Sequence, residues 1–517
     1  MRKITILWTD DEIDLLMPHI LFLEEKGYEV ITASNGEDAI RIVQERTVDL
    51  LFLDENMPGI SGLETLNRIK TLNPAIPVVM ITKSEEENIM DEAIGSKIDD
   101  YLIKPVNPKQ ILLSIKKNID TKRLITQKTT SAYQAEFTRI SLLINTAHNY
   151  SDWVEVYKKL TYWELEIGSG SDPGLMEILK MQKADANNGF SRFIRANYIG
   201  WFYERAGEAP LMSQNVFAQK VFPALEKGDR VCVILIDNLR LDQWRSILPL
   251  IEESYRLESE ELFYSILPTS TQYARNAMFA GLMPLAIEDM FPELWTDETE
   301  TGSKNLLEDQ LLEKQIQRFG LKLKVWYEKI NNARAGKKLV ENIKDLLNFD
   351  LSVVVFNFVD ILSHARTEME MIKELAYDES AYRSLTLSWF QHSHLREFIR
   401  ELALNRIKLI ITTDHGTIRV NNPLKVIGDR ETTTNIRYKQ GKNLNYNPEE
   451  VFEVKKPAEI HLPKSHVSST YIFAMNYDFF VYPNNYNQFV NYYRNTFQHG
   501  GISMEEMLIP VSVLNPM

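Results

Sequence analysis

The chain has 517 residues, too many for one hydrophobic core, so about three domains are expected. Its formal net charge of −14 argues against broad electrostatic binding to duplex DNA, and its single cysteine excludes an intramolecular disulfide and is typical of a reducing cytoplasm. Neither a signal peptide nor an apolar run of about 18 residues is visible, so we expect a cytoplasmic protein without a transmembrane segment.

Residues 1–120 alternate short apolar runs with amphipathic stretches, which predicts a flavodoxin-like, doubly wound α/β domain with a parallel sheet. The runs have strand length and lie at residues 4–8, 29–33, 50–54, 78–82 and 100–104. In such a sheet, chemistry belongs at the carboxyl ends of the strands. The polar residues at those ends are Asp10, Asp11, Asp54, Thr82 and Lys104.

These polar residues predict a magnesium-dependent phosphoryl-transfer pocket. Carboxylates are the ligands that Mg²⁺ prefers, and Asp54 could then attack a phosphoryl donor. Lys104 and Thr82 could bind the phosphoryl oxygens. Any one of the aspartates is more simply explained as a helix cap, but the ordered set favours the pocket. The predicted magnesium ligands are Asp10, Asp11, Asp54 and the backbone carbonyl of Asn56.

The same stretch resembles the receiver domains of response regulators. The resemblance rests on TDDE (9–12), LDENMPGISG (53–62), ITKS (81–84) and YLIKP (101–105). It implies phosphorylation of Asp54 by a sensor histidine kinase. It also implies that Thr82 and Tyr101, at the switch positions of the family, relay phosphorylation to a surface that often forms a homodimer.

Residues 121–225 lack clear strand patterns and contain amphipathic, aromatic-rich stretches, so we predict a helical linker domain. Its aromatic residues favour a hydrophobic core over a base-stacking surface. No helix-turn-helix pattern is evident. The aromatic residues in question are Trp153, Trp163, Phe193 and Trp201.

Residues 226–517 return to α/β alternation. The strand candidates 230–237, 351–360 and 407–414 are continuous apolar runs that each end in an aspartate. Such runs indicate strands buried on both faces, and therefore a central, mostly parallel sheet. The segment 417–470 is polar and turn-rich, so we expect a long functional loop there, such as a lid.

Metal-ligand residues follow one another through this last region. Mixed aspartate and histidine ligation suits Zn²⁺, with Mn²⁺ as an alternative. Two metals about 4 Å apart could stabilise both oxygens of an in-line phosphoryl displacement, with Thr271 as the nucleophile. Four other histidines, His148, His392, His394 and His461, are assigned structural or surface roles. The predicted site comprises Asp237, Thr271, Asp360, His364, Asp414, His415 and His499.

Together these residues resemble the PglZ-type branch of the alkaline phosphatase superfamily. The matching stretches are DNLRLDQW (237–244), LPTSTQYARN (267–276), FVDILSH (358–364), TTDHG (412–416) and HGGISMEEMLIPV (499–511). The resemblance implies two zinc ions. One would be held by Asp237, Thr271, Asp414 and His415, and the other by Asp360, His364 and His499. Asn238 stands where this branch often has glycine. A threonine nucleophile argues against sulfatase chemistry, and the resemblance favours phosphodiesters as substrates.

The order of receiver, helical region and PglZ-type domain resembles the PorX family of response regulators of the type IX secretion system. It implies a regulator that cleaves oligonucleotide or cyclic-nucleotide-type substrates. It also implies a sigma factor and a secretion-motor protein as partners. The alternative is a metal-bound docking module that signals by phosphorylation-dependent dimerisation without essential hydrolysis. Direct DNA binding is a third possibility, which the charge disfavours. The predicted domains are 1–120, 121–225 and 226–517.

Overall fold

The chain forms two compact units, Met1–Gln134 and Ala135–Met517, and the boundary falls inside one long helix. The computed structural model describes residues 3–73, 76–83, 98–168, 173–203, 209–296, 305–429, 432–464, 466 and 468–517. The residues 135–225 therefore belong to the same compact unit as the C-terminal α/β region.

The first unit is built on a five-stranded sheet. Its strands are β1 Thr5–Thr9, β2 Glu29–Ala33, β3 Leu50–Asp54, β4 Val78–Thr82 and β5 Asp100–Ile103. All pairings are parallel, in the order β2-β1-β3-β4-β5, which confirms the predicted flavodoxin-like fold. The described helices are α1 Met17–Glu25, α2 Gly36–Glu45, α3 Gly62–Leu72, α4 Pro108–Ile115 and α5 Thr121–Thr146.

Local sequence signals start these helices. The side chains of Asn35, Ser61 and Asn107 each accept a hydrogen bond from a backbone N–H in the first turn of the helix that follows. Pro108 occupies the first turn of α4, where its missing N–H costs nothing. The helix expected after β4 falls on residues 84–97, outside the described residues.

The second unit contains a six-stranded mixed sheet. Its strands are β6 Val231–Ile236, β7 Tyr255–Tyr264, β8 Val325–Ile330, β9 Leu351–Phe356, β10 Lys408–Thr412 and β18 Leu508–Pro516. The order is β7-β18-β10-β6-β9-β8. The four strands from β10 to β8 pair in parallel, whereas β18 pairs antiparallel with both its neighbours. The predicted, mostly parallel central sheet is confirmed.

Helices surround this sheet and form the linker. The linker helices α6 Tyr150–Gly168 and α7 Pro173–Asn197 pack against each other. The remaining helices are α8 Phe222–Glu226, α9 Leu241–Ile251, α10 Thr271–Ala280, α11 Pro284–Met290, α12 Glu308–Arg318, α13 Ala333–Glu341, α14 Ile343–Leu346, α15 Phe358–Glu368, α16 Glu370–Leu375, α17 Glu379–His392, α18 His394–Leu404, α19 Tyr486–Tyr493 and α20 Met504–Met507.

The aromatic residues of the linker are core residues, as predicted. Trp153, Trp163, Phe193 and Trp201 are all buried. The Trp153 ring lies 5.8 Å from that of Phe190 and 6.1 Å from that of Phe193, measured between ring centroids. These are edge-on or tilted contacts of the kind that stabilise aromatic clusters. The Phe190 and Trp201 rings also contact Tyr264 of β7, so the aromatic core of the linker continues into the C-terminal α/β region.

The segment 417–470 is not the long loop that its polarity predicted. It contains strands β11 Ile418–Arg419, β12 Asn422–Lys425, β13 Tyr438–Gly441 and β14 Val451–Val454. Short strands separated by polar turns gave too weak a pattern to be recognised from sequence. Later strands complete these small sheets: β15 Thr470–Ala474 lies between β13 and β14, β16 Asp478–Val481 pairs with β12, and β17 Phe497–Gln498 pairs with β11.

One strand is shorter than the sequence predicted. The apolar run 351–360 was expected to be a strand ending in an aspartate, but β9 ends at Phe356 and α15 begins at Phe358. Asp360 therefore lies in the first turn of a helix. Val359 and Leu362 are buried on that helix. The apolar run therefore covers a buried strand and then the buried face of the helix that follows it.

Trp153→Ala should lower the free energy of unfolding by about 3–5 kcal/mol, because it leaves a large cavity in the linker core. Tyr162→Ala is the matched control on the same helix, since Tyr162 is 50% exposed, and should cost less than about 1 kcal/mol. Urea unfolding followed by circular dichroism measures both. Equal losses for the two variants would contradict the assignment of Trp153 to the core.

Candidate functional site

An acidic pocket lies at the carboxyl ends of the strands of the first unit. Asp10 follows β1, Asp54 ends β3, and both are buried. The Lys104 ammonium lies 2.8 Å from an Asp10 oxygen and 3.1 Å from an Asp54 oxygen. Asp10, Asp11 and Glu12 offer three carboxylate oxygens close enough together to hold one cation. Glu12 was not among the predicted ligands.

The electrostatics of this pocket fit a divalent cation. Burial, and next the neighbouring Asp10 carboxylate, raise the pKa of Asp54 to about 6, against the opposing effect of Lys104. A cation would relieve the repulsion between these carboxylates. Asn56 lies two residues beyond Asp54 and is exposed.

The predicted switch residues occupy two neighbouring strands. Thr82 ends β4 and is buried, whereas Tyr101 on β5 is 41% exposed. The register pairs Thr82 with Ile103, immediately before Lys104. Thr82 thus lies at the same sheet edge as the acidic pocket, and Tyr101 lies near the surface.

In the second unit, a first cluster consists of Asp237, Asp414 and His415. They are buried, and each offers a ligand atom within 4.8 Å of the others. Asp237 follows β6 directly, and Asp414 lies two residues beyond β10. The Thr271 hydroxyl is 3.1 Å from His415 Nε2. The structure therefore brings Thr271 to this cluster, at the first residue of α10.

A second cluster consists of Asp360, His364 and His499, whose ligand atoms also lie within 4.8 Å of one another. The distances are 3.5 Å from Asp360 Oδ2 to His364 Nε2 and 3.7 Å from Asp360 Oδ1 to His499 Nε2. The His364 side chain is 59% exposed, so this cluster opens to solvent. The His499 and His415 rings stack with centroids 4.3 Å apart, which makes the two clusters neighbours.

Backbone carbonyl groups orient two histidines, the buried His415 and the partly buried His499. Nδ1 of His499 lies 3.2 Å from the Thr269 carbonyl oxygen, and Nδ1 of His415 lies 3.2 Å from that of Gly416. Each Nδ1–H can donate there, which leaves Nε2 as the free lone pair. Burial, and next the neighbouring His415, lower the pKa of His499, so it is neutral. Neutral, oriented imidazoles are suitable metal ligands.

Arg275 is the main residue of this site that sequence reasoning missed. Its guanidinium is completely buried and contacts Asp237, Asp414 at 2.9 Å and Glu308 at 3.5 Å. Burial would raise the pKa of Asp414, but Arg275 and His415 outweigh it and hold that pKa below its usual range. Burial dominates at Asp237 and raises its pKa despite Arg275.

A sequence signal for Arg275 does exist. It lies four residues after Thr271, so one turn of α10 places both on the same face of the helix. An arginine among buried aspartates is the expected counter-charge.

Asn238 contacts both clusters, and its backbone conformation explains why asparagine can stand where this branch often has glycine. Its φ of 64° lies in the left-handed region, which glycine adopts freely and asparagine tolerates better than most residues. Its backbone N–H donates to Asp414 at 3.4 Å, and its side chain donates to Asp360 at 3.2 Å.

The donor sets fit metal ions. Each cluster supplies three aspartate or histidine ligands, and within the described residues Asp237 Oδ1 is buried without a hydrogen-bond partner. An unsatisfied buried carboxylate oxygen is costly unless a cation binds it. Zinc is the ion that such mixed sets suit best.

Arg275→Met should lower the free energy of unfolding without metal by about 3–5 kcal/mol, because three buried carboxylates lose their shared counter-charge. Saturating zinc should recover part of the loss. Arg245→Met is the control, because the Arg245–Glu260 pair is partly exposed and should contribute under about 1 kcal/mol. Thermal unfolding with and without zinc measures this. A stability equal to that of the control would contradict the role of Arg275.

No helix in the described portion of the chain has the length and apolar character needed to cross a bilayer.

Three family models match the chain in succession. They are the response regulator receiver domain over residues 6–116, the PorX response regulator linker domain over 123–202, and the BREX system PglZ alkaline phosphatase-like domain over 216–514. The helical linker and the receiver that the sequence predicted thus correspond to known domains.

Several curated relatives, all transcriptional regulatory proteins, match about a quarter of the chain. The transcriptional regulatory protein ZraR of Klebsiella oxytoca is 35% identical over 136 residues, covering 26% of this chain and 31% of the relative. The phosphate regulon protein PhoB of Pseudomonas aeruginosa is 35% identical over 114 residues, covering 22% and 50%. The chain therefore spans about a third to a half of these relatives.

Among solved structures, a CheY-like receiver domain from Methanospirillum hungatei JF-1 is 28% identical and has a TM-score of 0.23. The match covers 23% of this chain and 96% of that one. Because the PglZ model covers more than half of the chain and follows a receiver and a PorX linker, this protein belongs to the PglZ alkaline phosphatase-like family and is a PorX-type response regulator.

Proposed function

We propose that this protein is a two-component response regulator whose effector domain is a zinc-dependent phosphodiesterase with Thr271 as its nucleophile. The observation that carries the proposal is the position of the Thr271 hydroxyl, 3.1 Å from His415 at the first residue of α10. A pure docking module has no need of a hydroxyl beside a buried cluster of metal-ligand residues.

In this proposal, one zinc ion is held by Asp237, Thr271, Asp414 and His415. The second is held by Asp360, His364 and His499. When bound, the ions would lower the pKa of the threonine hydroxyl and offset charge on the phosphoryl oxygens.

The chain's own groups position the reaction. The Thr271 hydroxyl would lose its proton to solvent, and its Oγ would attack phosphorus while the bond to the leaving alkoxide breaks. The alkoxide would take a proton from water, and a second water would later cleave the phosphothreonine ester and restore the hydroxyl. The first backbone N–H groups of α10 lack partners within the helix and favour an anion beside Thr271. Arg275 fixes the carboxylates of Asp237 and Asp414. Substrate enters past the exposed His364.

The substrate class follows from the family and the nucleophile. A threonine nucleophile in a PglZ-type domain favours phosphodiesters of the oligonucleotide or cyclic-nucleotide type. The match of residues 123–202 to the PorX linker domain supports a role in type IX secretion, with a sigma factor and a secretion-motor protein as partners. A receiver that takes its phosphoryl group from a histidine kinase works in the cytoplasm, where we place this protein.

The receiver supplies the switch. Mg²⁺ bound by Asp10, Asp11, Asp54 and the carbonyl of Asn56 would support phosphorylation of Asp54. Lys104, already within 3.1 Å of Asp54, would pair with the phosphoryl group. Thr82 and Tyr101 would then transmit the change to a homodimer interface.

Thr271→Val should lower turnover of bis-p-nitrophenyl phosphate by at least about 10³-fold, because it removes the nucleophilic hydroxyl while preserving shape. Zinc content should stay near two per chain, since six ligands remain. Thr161→Val, a buried threonine in the linker helix α6, is the matched control and should keep turnover. Full turnover by Thr271→Val would exclude it as nucleophile. No turnover by the zinc-loaded wild type would favour the docking module.

Asp54→Ala should abolish the effect of beryllofluoride and Mg²⁺ on the monomer–dimer balance, because the acyl-phosphate mimic has no carboxylate to bind. Sedimentation velocity measures the balance. Asp38→Ala is the control, since Asp38 forms an exposed pair with Arg41, and should respond like the wild type. A persisting shift in Asp54→Ala would place the switch elsewhere.

A further inference from the structure

One face of the linker helix α7 carries buried polar side chains. Lys183, Asn187 and Ser191 are spaced by four residues, and Tyr198 follows the helix end on the same face. Buried polar groups require partners. All four find partners beyond the linker helices, in the region that the PglZ model matches.

Asn187 binds the short helix α20. Its side-chain oxygen accepts from the Met504 backbone N–H at 2.9 Å, and its amide donates to the Glu505 carboxylate at 2.9 Å. The same carboxylate lies 3.3 Å from the Lys183 ammonium. Lys183 also pairs with Glu164 at 2.7 Å, so Glu505 belongs to a buried ionic network.

The next residue, Glu506, pairs with Arg437 and contacts the backbone next to two of the proposed metal ligands. Its carboxylate accepts from the Gly501 backbone N–H at 2.9 Å, and its carbonyl accepts from the Gly416 N–H at 3.2 Å. Gly416 follows His415, and Gly501 lies two residues after His499. A Cβ on Gly416 would lie 2.0 Å from the Glu505 carbonyl oxygen, so glycine is required for this close approach.

Two further contacts join the helix face to the same site. The Ser191 hydroxyl donates to the Asn476 side chain at 2.7 Å, and the Asn476 N–H donates to the Ile502 carbonyl. The Tyr198 hydroxyl accepts from the Leu267 N–H at 2.8 Å, four residues before Thr271.

The loop that follows Leu267 is in turn tied to the His499 loop. The Thr269 hydroxyl donates to the Gly501 carbonyl at 2.9 Å and accepts from the Gly500 N–H at 3.0 Å. The contacts of Tyr198 and Asn187 therefore converge on one set of backbone segments, those beside Thr271, His415 and His499.

We propose that this face of α7, formed by Lys183, Asn187, Ser191 and Tyr198, positions the phosphodiesterase site. It fixes the backbone beside one proposed ligand of each zinc ion and beside the nucleophile. This inference rests on the proposed function.

The expected consequence is a selective loss of turnover. Catalysis is far more sensitive to small displacements than folding is, and a shift of about 1 Å costs about 10²-fold in rate. Asn187→Leu and Tyr198→Phe remove the contacts without removing bulk. Glu260→Gln is the control, because Glu260 also faces a linker residue, Lys158 at 3.8 Å, but lies on β7, at the edge of the sheet.

Three quantities test the proposal in the full-length zinc-loaded protein: kcat and KM for bis-p-nitrophenyl phosphate, zinc content, and hydrogen exchange of peptides containing Gly416 and Gly500–Gly501. In Asn187→Leu, kcat should fall at least about tenfold with KM within about twofold and two zinc ions retained. Amide exchange in both peptides should accelerate about tenfold or more. Tyr198→Phe should accelerate amide exchange at Gly500–Gly501. This variant tests the proposal by itself if Asn187→Leu does not fold.

Equal kcat and equal exchange in the α7 variants and Glu260→Gln would overturn the inference. If the wild type shows no turnover, the proposed function fails, and the exchange comparison still decides the positioning role. A fall in zinc content that accounts for the whole loss of kcat would also overturn it, because the variants would then act on metal binding.

Discussion

The free-energy cost of removing carboxylates from water is the constraint on which the site of the alkaline phosphatase-like domain depends. Asp237 and Asp414 are buried at the carboxyl ends of β6 and β10, two central strands that are almost entirely buried. Such charges require a counter-charge in direct contact. Arg275 supplies one from α10, and the cluster geometry leaves room for the positive charge of metal ions. The left-handed turn at Asn238 directs a backbone N–H toward Asp414 at this edge. Gly416 allows the close approach of the Glu505 backbone beside it.

The receiver domain also buries carboxylates, and it also supplies one cationic side chain in direct contact with them. Asp10 and Asp54 lie at the ends of adjacent parallel strands, and Lys104 spans them as Arg275 spans Asp237 and Asp414. Parallel strands place such residues together because their carboxyl ends share one edge. In both units an acidic pair is held by one cationic side chain beside a group fit for phosphoryl chemistry. The protein thus repeats one electrostatic arrangement in its receiver domain and in its alkaline phosphatase-like domain.

The sequence predicted both sheets, because apolar strand runs that end in aspartates are strong, local signals. It also named seven residues that the structure brings close together: Asp237, Thr271, Asp360, His364, Asp414, His415 and His499. It placed Asp360 at the end of a strand, since Phe356 and Val359 look alike in an apolar run, although β9 ends at Phe356 and Val359 already lies in α15. It missed the small strands such as β13 and β14, which are too short for periodicity to register.

Other features depend on contacts distant in sequence. The spacing of Thr271 and Arg275 indicates that both lie on one face of a helix. The partners of Arg275, Asp237 and Asp414, lie after two strands that are distant in sequence. Asn187 and Glu505 are 318 residues apart, and no single-sequence pattern links them. The buried polar face of α7 was not predicted, because the aromatic residues around it already indicated a hydrophobic linker core.

Anomalous X-ray diffraction at the zinc edge, on crystals of the zinc-loaded protein, tests the central claim most directly. The account predicts two peaks about 4 Å apart. One should lie among Asp237, Asp414, His415 and Thr271, and the other among Asp360, His364 and His499. A single peak away from Thr271, or none with Arg275 alone neutralising the aspartates, would contradict a two-metal phosphodiesterase.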